Sequence, residues 1–444
     1  MSAISRRNFV KTAGSATVAS LMLNNSTLAS ASARRRYAIV GTGERSVGMW
    51  GRSLVEGYSD VLEFVGLCDI NRKRVAVAKK ILGIEVPTFT DFEQMCDQAK
   101  PDLLTVTTVD GFHSHYISRA LDRGIDVITE KPMVIDEKQC QAVLNAEKRN
   151  RRNIIVTFNY RYSPKHQKIK ELLMSGAIGR VISVDFSWYL DVYHGADYFR
   201  RWHRLKSKGG SLWVHKATHH FDLINWWLDA DPIEVSAQGR LEVYGRNGSF
   251  RSTHCRKCPH TSQCPFYYDL TKNQRRMELY AACEDVDNYH RDGCVFREDV
   301  DIYDTMSALV KYSNGAVMNY SLNAFMPFEG YRLAFNGEKG RLEVRDYERQ
   351  PWRVEEETEM FLTKSFGQRE KIEIQRVQGG HGGGDDRLKN AIFRKASLPA
   401  YLQLPDSRAG ALSCLTGIAA RKSVELKRPV KISELVQLPA RTRV

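Results

Sequence analysis

Short apolar runs alternate with polar, amphipathic stretches in the part of the chain that follows residue 34. The runs 37–40, 61–68, 103–108 and 126–129 have the length and composition of buried strands, and 115–123 has a helical pattern. Strands that alternate with helices are typical of parallel βαβ units. We therefore predict an α/β fold whose first domain, residues 34–156, contains a parallel sheet.

The later part of the chain has a different pattern, with longer alternating segments and turn signals between them. Residues 181–190 alternate like a half-buried strand. Residues 309–322 and 333–344 each predict a hairpin, the first turning at Asn314-Gly315 and the second between Gly337 and Gly340. These segments indicate a second, β-rich domain over residues 157–444.

Composition supports a folded protein and argues against two classes of partner. The 444 residues are 42% hydrophobic, and the net charge of +14 is spread along the chain rather than gathered in a basic run. This distribution does not favour nucleic-acid binding. Beyond the N-terminus no segment approaches 18 continuous apolar residues, so we expect no stable membrane insertion.

A glycine turn follows the first strand at once. Gly41 permits the tight turn, Gly43 lets the backbone approach a pyrophosphate, and the next helix offers its N-terminal N–H groups to phosphates. Ser46 stands where the usual motif has its third glycine. Asp69 closes the second strand, where it can bind the adenosine ribose and favour NAD; arginines at 72 and 74 leave NADP open, and a helix N-cap is the alternative role for Asp69.

The first 33 residues have the order of parts of an export signal. Residues 5–11 read Ser-Arg-Arg-Asn-Phe-Val-Lys, a mild apolar stretch covers 13–23, and Ala31-Ser32-Ala33 resembles a cleavage site. We predict a twin-arginine signal peptide over 1–33 and a periplasmic or other extracytoplasmic location. An exported enzyme that uses a nicotinamide cofactor cannot depend on a free cofactor pool. It must therefore keep the cofactor bound and restore its redox state in each catalytic cycle.

Four motifs appear in a fixed order: Thr108–His113, Glu130-Lys131-Pro132, Asn159–Tyr162, and Gly209-Gly210-Ser211 followed by His219–Asp222. Together they resemble the glucose–fructose oxidoreductase/inositol dehydrogenase (Gfo/Idh/MocA) family. The resemblance implies a Rossmann domain, a C-terminal α/β domain with a large, mostly antiparallel open sheet and a cis bond before Pro132. Because an open sheet leaves a face or edge to cover, we also expect a homo-oligomer.

The resemblance also implies the chemistry. Lys131 corresponds to the lysine beside the nicotinamide and the reacting hydroxyl, and His219 to the acid/base histidine, whose pKa suits that work. His215 stands four residues earlier, where the family commonly has an aspartate, and we count it as a third catalytic candidate. The alternatives for His215, His219 and His220 are structural roles or a metal-binding pair.

Further residues are assigned to the cofactor and the substrate. The loop Gly380–Asp385 places a histidine and an aspartate among glycines, as expected of a loop that closes over a pocket. The predicted cofactor-binding residues are Gly41, Gly43, Glu44, Arg45, Asp69, Thr108, His113, Glu130 and Lys131. The predicted substrate contacts are Tyr160, Arg161, Trp202, His220 and His381.

Five of the nine cysteines fall in residues 245–300, which we call the cysteine-rich segment and interpret as an insertion. They are Cys255, Cys258, Cys264, Cys283 and Cys294. A structural zinc site and disulfides are equally favoured hypotheses. A run that ends in Cys-Pro also resembles iron–sulfur ligation, although the five-residue spacing differs from the common ferredoxin run.

The resulting hypothesis is an NAD(P)-dependent oxidoreductase acting on the CH–OH group of a sugar, sugar derivative or polyol, with a tightly bound cofactor. The alternative is a glycosidase that uses NAD transiently, through oxidation, elimination, hydration and re-reduction. A sugar-binding protein without catalysis is the third hypothesis, against which Lys131 and His219 argue.

Overall fold

The computed structural model describes residues 34–375 and 377–438. The predicted signal peptide, residues 1–33, lies outside the described residues. In the described part of the chain no helix is both long and apolar enough to cross a membrane.

The first sheet is parallel throughout and has six strands in the order β3-β2-β1-β4-β5-β6. This is the strand order of the dinucleotide-binding Rossmann fold. The four predicted runs correspond to β1, β2, β4 and β5, and most of their residues are buried. The strands are β1 (Arg35–Val40), β2 (Leu62–Cys68), β3 (Thr88–Phe89), β4 (Leu103–Val106), β5 (Asp126–Thr129) and β6 (Ile154–Val156).

Helices connect these strands and cover both faces of the sheet. The first begins after the glycine turn with a π-helical stretch, Ser46–Arg52, that continues as α1. Asn71 caps α2, because its side chain accepts hydrogen bonds from the N–H groups of Lys73 and Arg74. The helices are α1 (Ser53–Gly57), α2 (Arg72–Leu82), α3 (Phe92–Ala99), α4 (His113–Asp122) and α5 (Glu137–Asn150).

The second sheet has nine strands in the order β14-β13-β12-β11-β7-β10-β9-β8-β15 and is mostly antiparallel. The pair β7–β10 is parallel. Both predicted hairpins are confirmed, as β9–β10 and β11–β12. The strands are β7 (Val181–Asp191), β8 (Pro232–Arg240), β9 (Thr305–Tyr312), β10 (Val317–Met326), β11 (Glu329–Gly337), β12 (Gly340–Arg349), β13 (Thr358–Lys364), β14 (Arg369–Lys371) and β15 (Val430–Lys431).

The helices that follow β6 in the chain contact both sheets. They are α6 (Pro164–Met174), α7 (His194–Arg200), α8 (Lys206–Gly209), α9 (Leu212–His215), α10 (Ala217–Leu228), α11 (Gln274–Leu279), α12 (Glu284–Asp287), α13 (Gly384–Phe393) and α14 (Ser407–Leu426). Helix α13 packs back on the first domain, where Phe393 lies edge-on to Tyr37 and Trp50. The sequence predicted a single boundary between residues 156 and 157. In the structure, a helix from beyond that boundary also packs on the first domain.

The cysteine-rich segment connects β8 to β9. Its described residues form no named strand; they contain α11, α12, short 3-10 turns and one isolated bridge between His254 and Gly293. The segment lies against the Rossmann domain at the carboxyl ends of β1 and β2, which positions it beside the predicted nucleotide cleft.

Candidate active site

One large cavity runs along the carboxyl ends of the parallel strands and continues under the second sheet. Its volume is about 1410 Å³, more than one small ligand needs and enough for a dinucleotide with a substrate. In a doubly wound sheet, ligands bind at this edge. All nine predicted cofactor-binding residues line the cavity: Gly41, Gly43, Glu44, Arg45, Asp69, Thr108, His113, Glu130 and Lys131.

The glycine turn is packed too closely for a side chain. Gly41 has a φ of +86°, and a Cβ there would lie 2.7 Å from the backbone of Thr107 and Thr108. The loops after β1 and β4 therefore meet only because position 41 is glycine. This close approach keeps the edge of the sheet open to a pyrophosphate.

Asp69 organises this turn. Its Oδ2 accepts hydrogen bonds from the N–H (2.7 Å) and the hydroxyl (3.0 Å) of Thr42, and its Oδ1 accepts from the N–H of Asn71 (2.9 Å). Since Asn71 caps the following helix, the alternative role of Asp69 as N-cap is wrong. Arg74 lies 3.6 Å from Asp69 and 2.8 Å from Asp287.

The cysteine-rich segment covers the nucleotide end of the cavity, a contact that sequence reasoning missed. The hydroxyl of Tyr280 accepts a hydrogen bond from the N–H of Glu44 at 2.8 Å, and Arg276 pairs with the Glu44 carboxylate at 3.1 Å. Tyr280, Tyr289 and Asp287 also line the cavity. No periodic pattern indicates such a contact, because it joins residues more than 230 positions apart.

Lys131 lies at the carboxyl end of β5, next to a buried carboxylate–imidazole pair. Its Nζ donates to the carbonyl of His215 at 3.2 Å, and Nδ1 of His215 lies 2.5 Å from Oδ2 of Asp110. The pKa of Lys131 is lowered to about 8, because burial outweighs the opposing charge of Asp110. Burial raises the pKa of Asp110 and lowers that of His215.

Asp110 was absent from the predicted site, although its position in a family motif could have identified it. It stands where the family loop has asparagine, and His215 stands where the family commonly has aspartate. The structure brings these two departures into contact. The loop after β4 thus supplies a carboxylate beside His215 at the end of α9.

His219 faces the same cavity from helix α10. Its ring stacks on Tyr160, with centroids 4.4 Å apart and an angle of 12° between the planes. Among the described residues its buried Nδ1 has no hydrogen-bond partner. Burial holds its pKa well below the ordinary value, so the imidazole is neutral and is a weaker base than the histidine that the sequence predicted.

Lys216 also faces this cavity, although a helix would direct it away from His215 and His219. The helix is interrupted at this residue, because α9 ends at His215 and α10 begins at Ala217. Nζ of Lys216 lies 4.7 Å from the centre of the Trp188 ring. The cavity therefore contains two lysines near the predicted acid/base histidine.

The loop that contains His381 reaches the site as predicted. Nδ1 of His381 lies 2.9 Å from the amide of Asn159 and 3.1 Å from Asp385. Asp385 lies 3.7 Å from Arg45, which binds Glu130 at 2.7 Å. The loop is therefore connected to the glycine-turn helix by a chain of polar contacts.

His113 and Glu130 stabilise the loops of the cavity. The two ring nitrogens of His113 face the carbonyl oxygens of Pro132 and Thr108, at 2.8 and 3.1 Å. Glu130 accepts from Trp50 at 2.8 Å, in keeping with a role in shaping the turn. The predicted cis bond before Pro132 is confirmed.

Two predicted substrate contacts are wrong. Arg161 forms a buried two-point ion pair with Asp222 and does not reach the described cavity lining. His220 is fully buried, hydrogen-bonded to the Tyr320 hydroxyl at 2.7 Å and stacked on Trp188. Both lie in family motifs, but a motif does not state which of its side chains face the core. Tyr160, Trp202 and His381 do line the cavity.

The predicted metal and disulfide sites are not found either. All nine cysteines are unpaired thiols. Within residues 34–375 and 377–438, no group of three or more His, Cys, Asp or Glu side chains could hold a metal ion. This corrects both zinc hypotheses, for the cysteines and for the histidine pair. Cys283 points away from the other four and donates to the Glu278 carbonyl at 3.4 Å.

A Rossmann sheet, a glycine turn at its edge and a lysine beside buried histidines define a two-domain NAD(P)-dependent oxidoreductase. Two family models match: the NAD-binding Rossmann fold of the oxidoreductase family over residues 35–158, and its C-terminal alpha/beta domain over residues 170–432. The chain belongs to the Gfo/Idh/MocA oxidoreductase family.

Three proteins that are similar to this chain illustrate its relationships within the family. YteT of Bacillus subtilis, named as an oxidoreductase, is 40% identical over 432 residues, covering 91% of this chain and 99% of YteT. The inositol 2-dehydrogenase/D-chiro-inositol 3-dehydrogenase of Lactiplantibacillus plantarum is 26% identical over 39% of this chain and 47% of its own. The WlbA dehydrogenase of Bordetella pertussis, solved with NADH and UDP-GlcNAcA, shares the fold at a TM-score of 0.62 and 18% identity, covering 92% of this chain and 100% of its own.

Proposed function

We propose that this protein oxidises a CH–OH group of a sugar, sugar derivative or polyol and keeps its nicotinamide cofactor bound between half-reactions. The observation that carries the proposal is the position of Lys131, between the Asp110–His215 pair and a cavity that His219 also faces. Relatives with inositol dehydrogenase activity in their names agree with a polyhydroxylated substrate.

The residues present fit a dinucleotide, since the Gly41 turn leaves the sheet edge free of side chains and the cavity extends past it. When bound, the nicotinamide supplies the acceptor for the hydride of the carbinol carbon. The neutral imidazole of His219 takes the hydroxyl proton, and the Lys131 ammonium donates a hydrogen bond to the developing alkoxide. The Asp110–His215 pair holds Lys131 in place through the His215 carbonyl.

NAD is the cofactor we favour over NADP. The carboxylate of Asp69 stands at the end of β2, where it opposes a 2′-phosphate. Arg74, which the sequence left as a phosphate-binding candidate, is already paired with Asp69 and Asp287. Its charge is therefore balanced before any nucleotide binds.

Retention of the cofactor is supported by the cysteine-rich segment. Besides Tyr280 and Arg276, backbone carbonyls of Leu279 and Cys283 accept hydrogen bonds from Arg74 (3.2 Å) and Asn71 (2.8 Å) at the start of α2. These contacts must break before a nucleotide in the cleft can dissociate. The first experiment is to denature the purified protein and identify released nucleotide by mass spectrometry; stoichiometric NAD(H) is expected, and a protein that is empty and also fails to bind added NAD or NADP overturns the proposal.

The second candidate is the redox-neutral glycosidase. It is favoured by the His381–Asp385 pair, because this second acid/base candidate has its ring 6.3 Å from that of His219. A screen of sugars and glycosides distinguishes the two functions. Release of an aglycone without net NADH supports the glycosidase, whereas substrate-dependent reduction of the bound cofactor without cleavage supports the oxidoreductase.

We also propose export by the twin-arginine route and homo-oligomerisation. The first rests on Arg6 and Arg7 in their sequence context. Replacing both with lysine should keep the protein in the cytoplasm, and unchanged export would contradict the proposal. The second rests on the outer face of the nine-stranded sheet, where Ile182, Ile233 and Leu309 are exposed. Light scattering of the eluted protein measures the mass directly.

A further inference from the structure

Tyr198, His194 and Glu329 form a hydrogen-bonded row in the wall of the large cavity. The Tyr198 hydroxyl lies 2.9 Å from Nε2 of His194, and Nδ1 of His194 lies 2.7 Å from Oε1 of Glu329. All three residues line the cavity, and they lie outside the four family motifs. A carboxylate that orients a histidine, and a histidine that accepts from a hydroxyl, recur at sites that bind or activate hydroxyl groups. We call these three residues the Tyr198 triad.

Three elements of the fold fix the Tyr198 triad. At the end of β7, Oδ1 of Asp191 accepts hydrogen bonds from the N–H groups of Tyr193 (2.9 Å) and His194 (2.7 Å), which sets the start of α7. Tyr198 follows four residues later on the same face of α7, and Glu329 begins β11. His194 is therefore held at its backbone and at both ring nitrogens, so its imidazole has one defined orientation.

The hydrogen bonds of the triad have a direction. Burial acts to raise the pKa of Glu329, but the hydrogen bond and charge of His194 hold that pKa below its ordinary value, so Glu329 is a carboxylate that accepts from Nδ1–H. A neutral His194 then presents Nε2 as an acceptor. Burial raises the pKa of Tyr198, so the phenol keeps its proton and donates it to Nε2. The Tyr198 oxygen is left with lone pairs that can only accept.

The triad lies beside the residues assigned to the chemical step. The ring of Tyr198 is edge-on to that of His215, with centroids 5.3 Å apart and an angle of 65° between the planes. His215 in turn receives the hydrogen bond of Lys131 on its carbonyl oxygen. A polyhydroxylated substrate with one carbinol at Lys131 therefore brings its neighbouring hydroxyl groups to the wall that contains Tyr198.

We propose that Tyr198 determines specificity by accepting a hydrogen bond from a second hydroxyl group of the substrate, with His194 and Glu329 as its positioning residues. The inference rests on the proposed function, because it concerns the same site and the same substrate. It names the group that this position takes, which is a free hydroxyl and not an ether, a ketone or a carboxylate. Those three groups also present only lone pairs, and two buried acceptors that face each other remain unsatisfied.

The test measures binding by calorimetry to the full chain with NAD present, at about pH 8, above the ordinary pKa of imidazole. The probes are aldohexoses, 6-deoxyhexoses, pentoses, hexuronic acids and inositols, followed by the monodeoxy and mono-O-methyl derivatives of the tightest binder. We expect one position at which both derivatives bind about five- to tenfold more weakly than the parent compound. In Tyr198→Phe the parent compound should lose the same factor, and the deoxy derivative at that position should lose nothing.

Three further variants separate a binding role from a purely structural one. His194→Leu removes the acceptor of the Tyr198 proton, so the O–H is free to donate into the cavity, and the O-methyl derivative should gain about fivefold relative to the parent compound. Glu329→Gln should weaken the parent compound less than Tyr198→Phe does, because the amide oxygen still accepts from His194. Tyr193→Phe, exposed and next to His194, is the matched control and should change nothing. Circular dichroism and bound-nucleotide content show whether each variant folds.

Reduction of the bound cofactor by the same probes keeps the two proposals distinguishable. Binding with a preference that depends on Tyr198, but without reduction of the cofactor by any probe, rejects the proposed oxidation and supports the role of Tyr198. Reduction with a preference that Tyr198→Phe leaves unchanged rejects the role of Tyr198 and supports the proposed oxidation. Failure of every parent compound to bind overturns the inference, and so does a Tyr198→Phe protein that is less stable but discriminates as the unaltered protein does.

Discussion

The Rossmann domain and the cysteine-rich segment face each other across the nucleotide cleft, and they are built differently. The first has a hydrophobic core of parallel strands, with residues such as Ile39 and Leu104 fully buried. The second has short helices that are joined to the first by hydrogen bonds and ion pairs. We expect the first domain to stay folded when single polar contacts are removed, and we expect those contacts to hold the segment against the glycine turn.

This comparison assigns separate tasks to the two regions. Side chains at the carboxyl ends of the parallel strands should control the chemical step. Side chains of the cysteine-rich segment should control how long the nucleotide stays bound. Four variants test this division, from the largest expected effect to the smallest.

Lys131→Met should lower kcat about 10³-fold, since it removes the cation that stabilises the alkoxide. The nucleotide content of the purified protein should not change. Lys138→Met, an exposed lysine on α5, is the matched control. A Lys131→Met enzyme with normal kcat would remove the lysine from the mechanism.

Asp110→Asn should lower kcat about 10-fold and move a limb of the pH profile. Burial lowers the pKa of Lys131 to about 8, a value that already includes the opposing effect of the Asp110 charge. Without that charge the Lys131 pKa falls further, so the loss of activity at alkaline pH should begin at lower pH. An alkaline limb that stays in place would show that Asp110 does not act on Lys131.

Tyr280→Phe should release NAD about fivefold faster and leave kcat unchanged when cofactor is saturating. The hydroxyl accepts one hydrogen bond from the glycine-turn helix, and such a bond contributes ~1 kcal/mol. Stopped-flow displacement of bound NAD measures the rate, with the exposed Tyr193→Phe as control. Unchanged release would mean that this contact does not restrain the cofactor.

Lys73→Gln should speed release less than about threefold. Its ion pair with Asp285 joins the same two regions at 2.7 Å, but both side chains are exposed, 45% and 60%. High salt should abolish the difference between Lys73→Gln and the unaltered protein. Lys80→Gln on the same helix should have no effect at any salt concentration. An effect as large as that of Tyr280→Phe would show that the exposed ion pair restrains the nucleotide as strongly as the buried hydrogen bond.

The strands and the glycine turn could be predicted because their signals are local. The run that became β1, the turn at Gly41 and the hairpin at Asn314-Gly315 each depend on a few adjacent residues. The family motifs placed Lys131 and His219 correctly at the cavity. No local signal connects Asp110 with His215, which are 105 positions apart.

The errors have a common physical cause. Arg161 and His220 belong to motifs that also contain cavity residues, and their polar side chains resemble substrate contacts. In the structure each finds a buried partner, Asp222 for the arginine and Tyr320 for the histidine. A polar residue in a motif can bind either a substrate or a buried side chain of the same protein. The sequence does not distinguish the two roles, because the buried partner is identified only in the folded structure.

Phe393 reaches the core of the first domain from α13, where it packs against Tyr37 and Trp50. A ribosome must therefore synthesise most of the chain before this aromatic cluster can close. Until then the aromatic cluster around Tyr37 and Trp50 lacks one of its rings. The packing of the nucleotide-binding domain is therefore complete only when α13 has been synthesised.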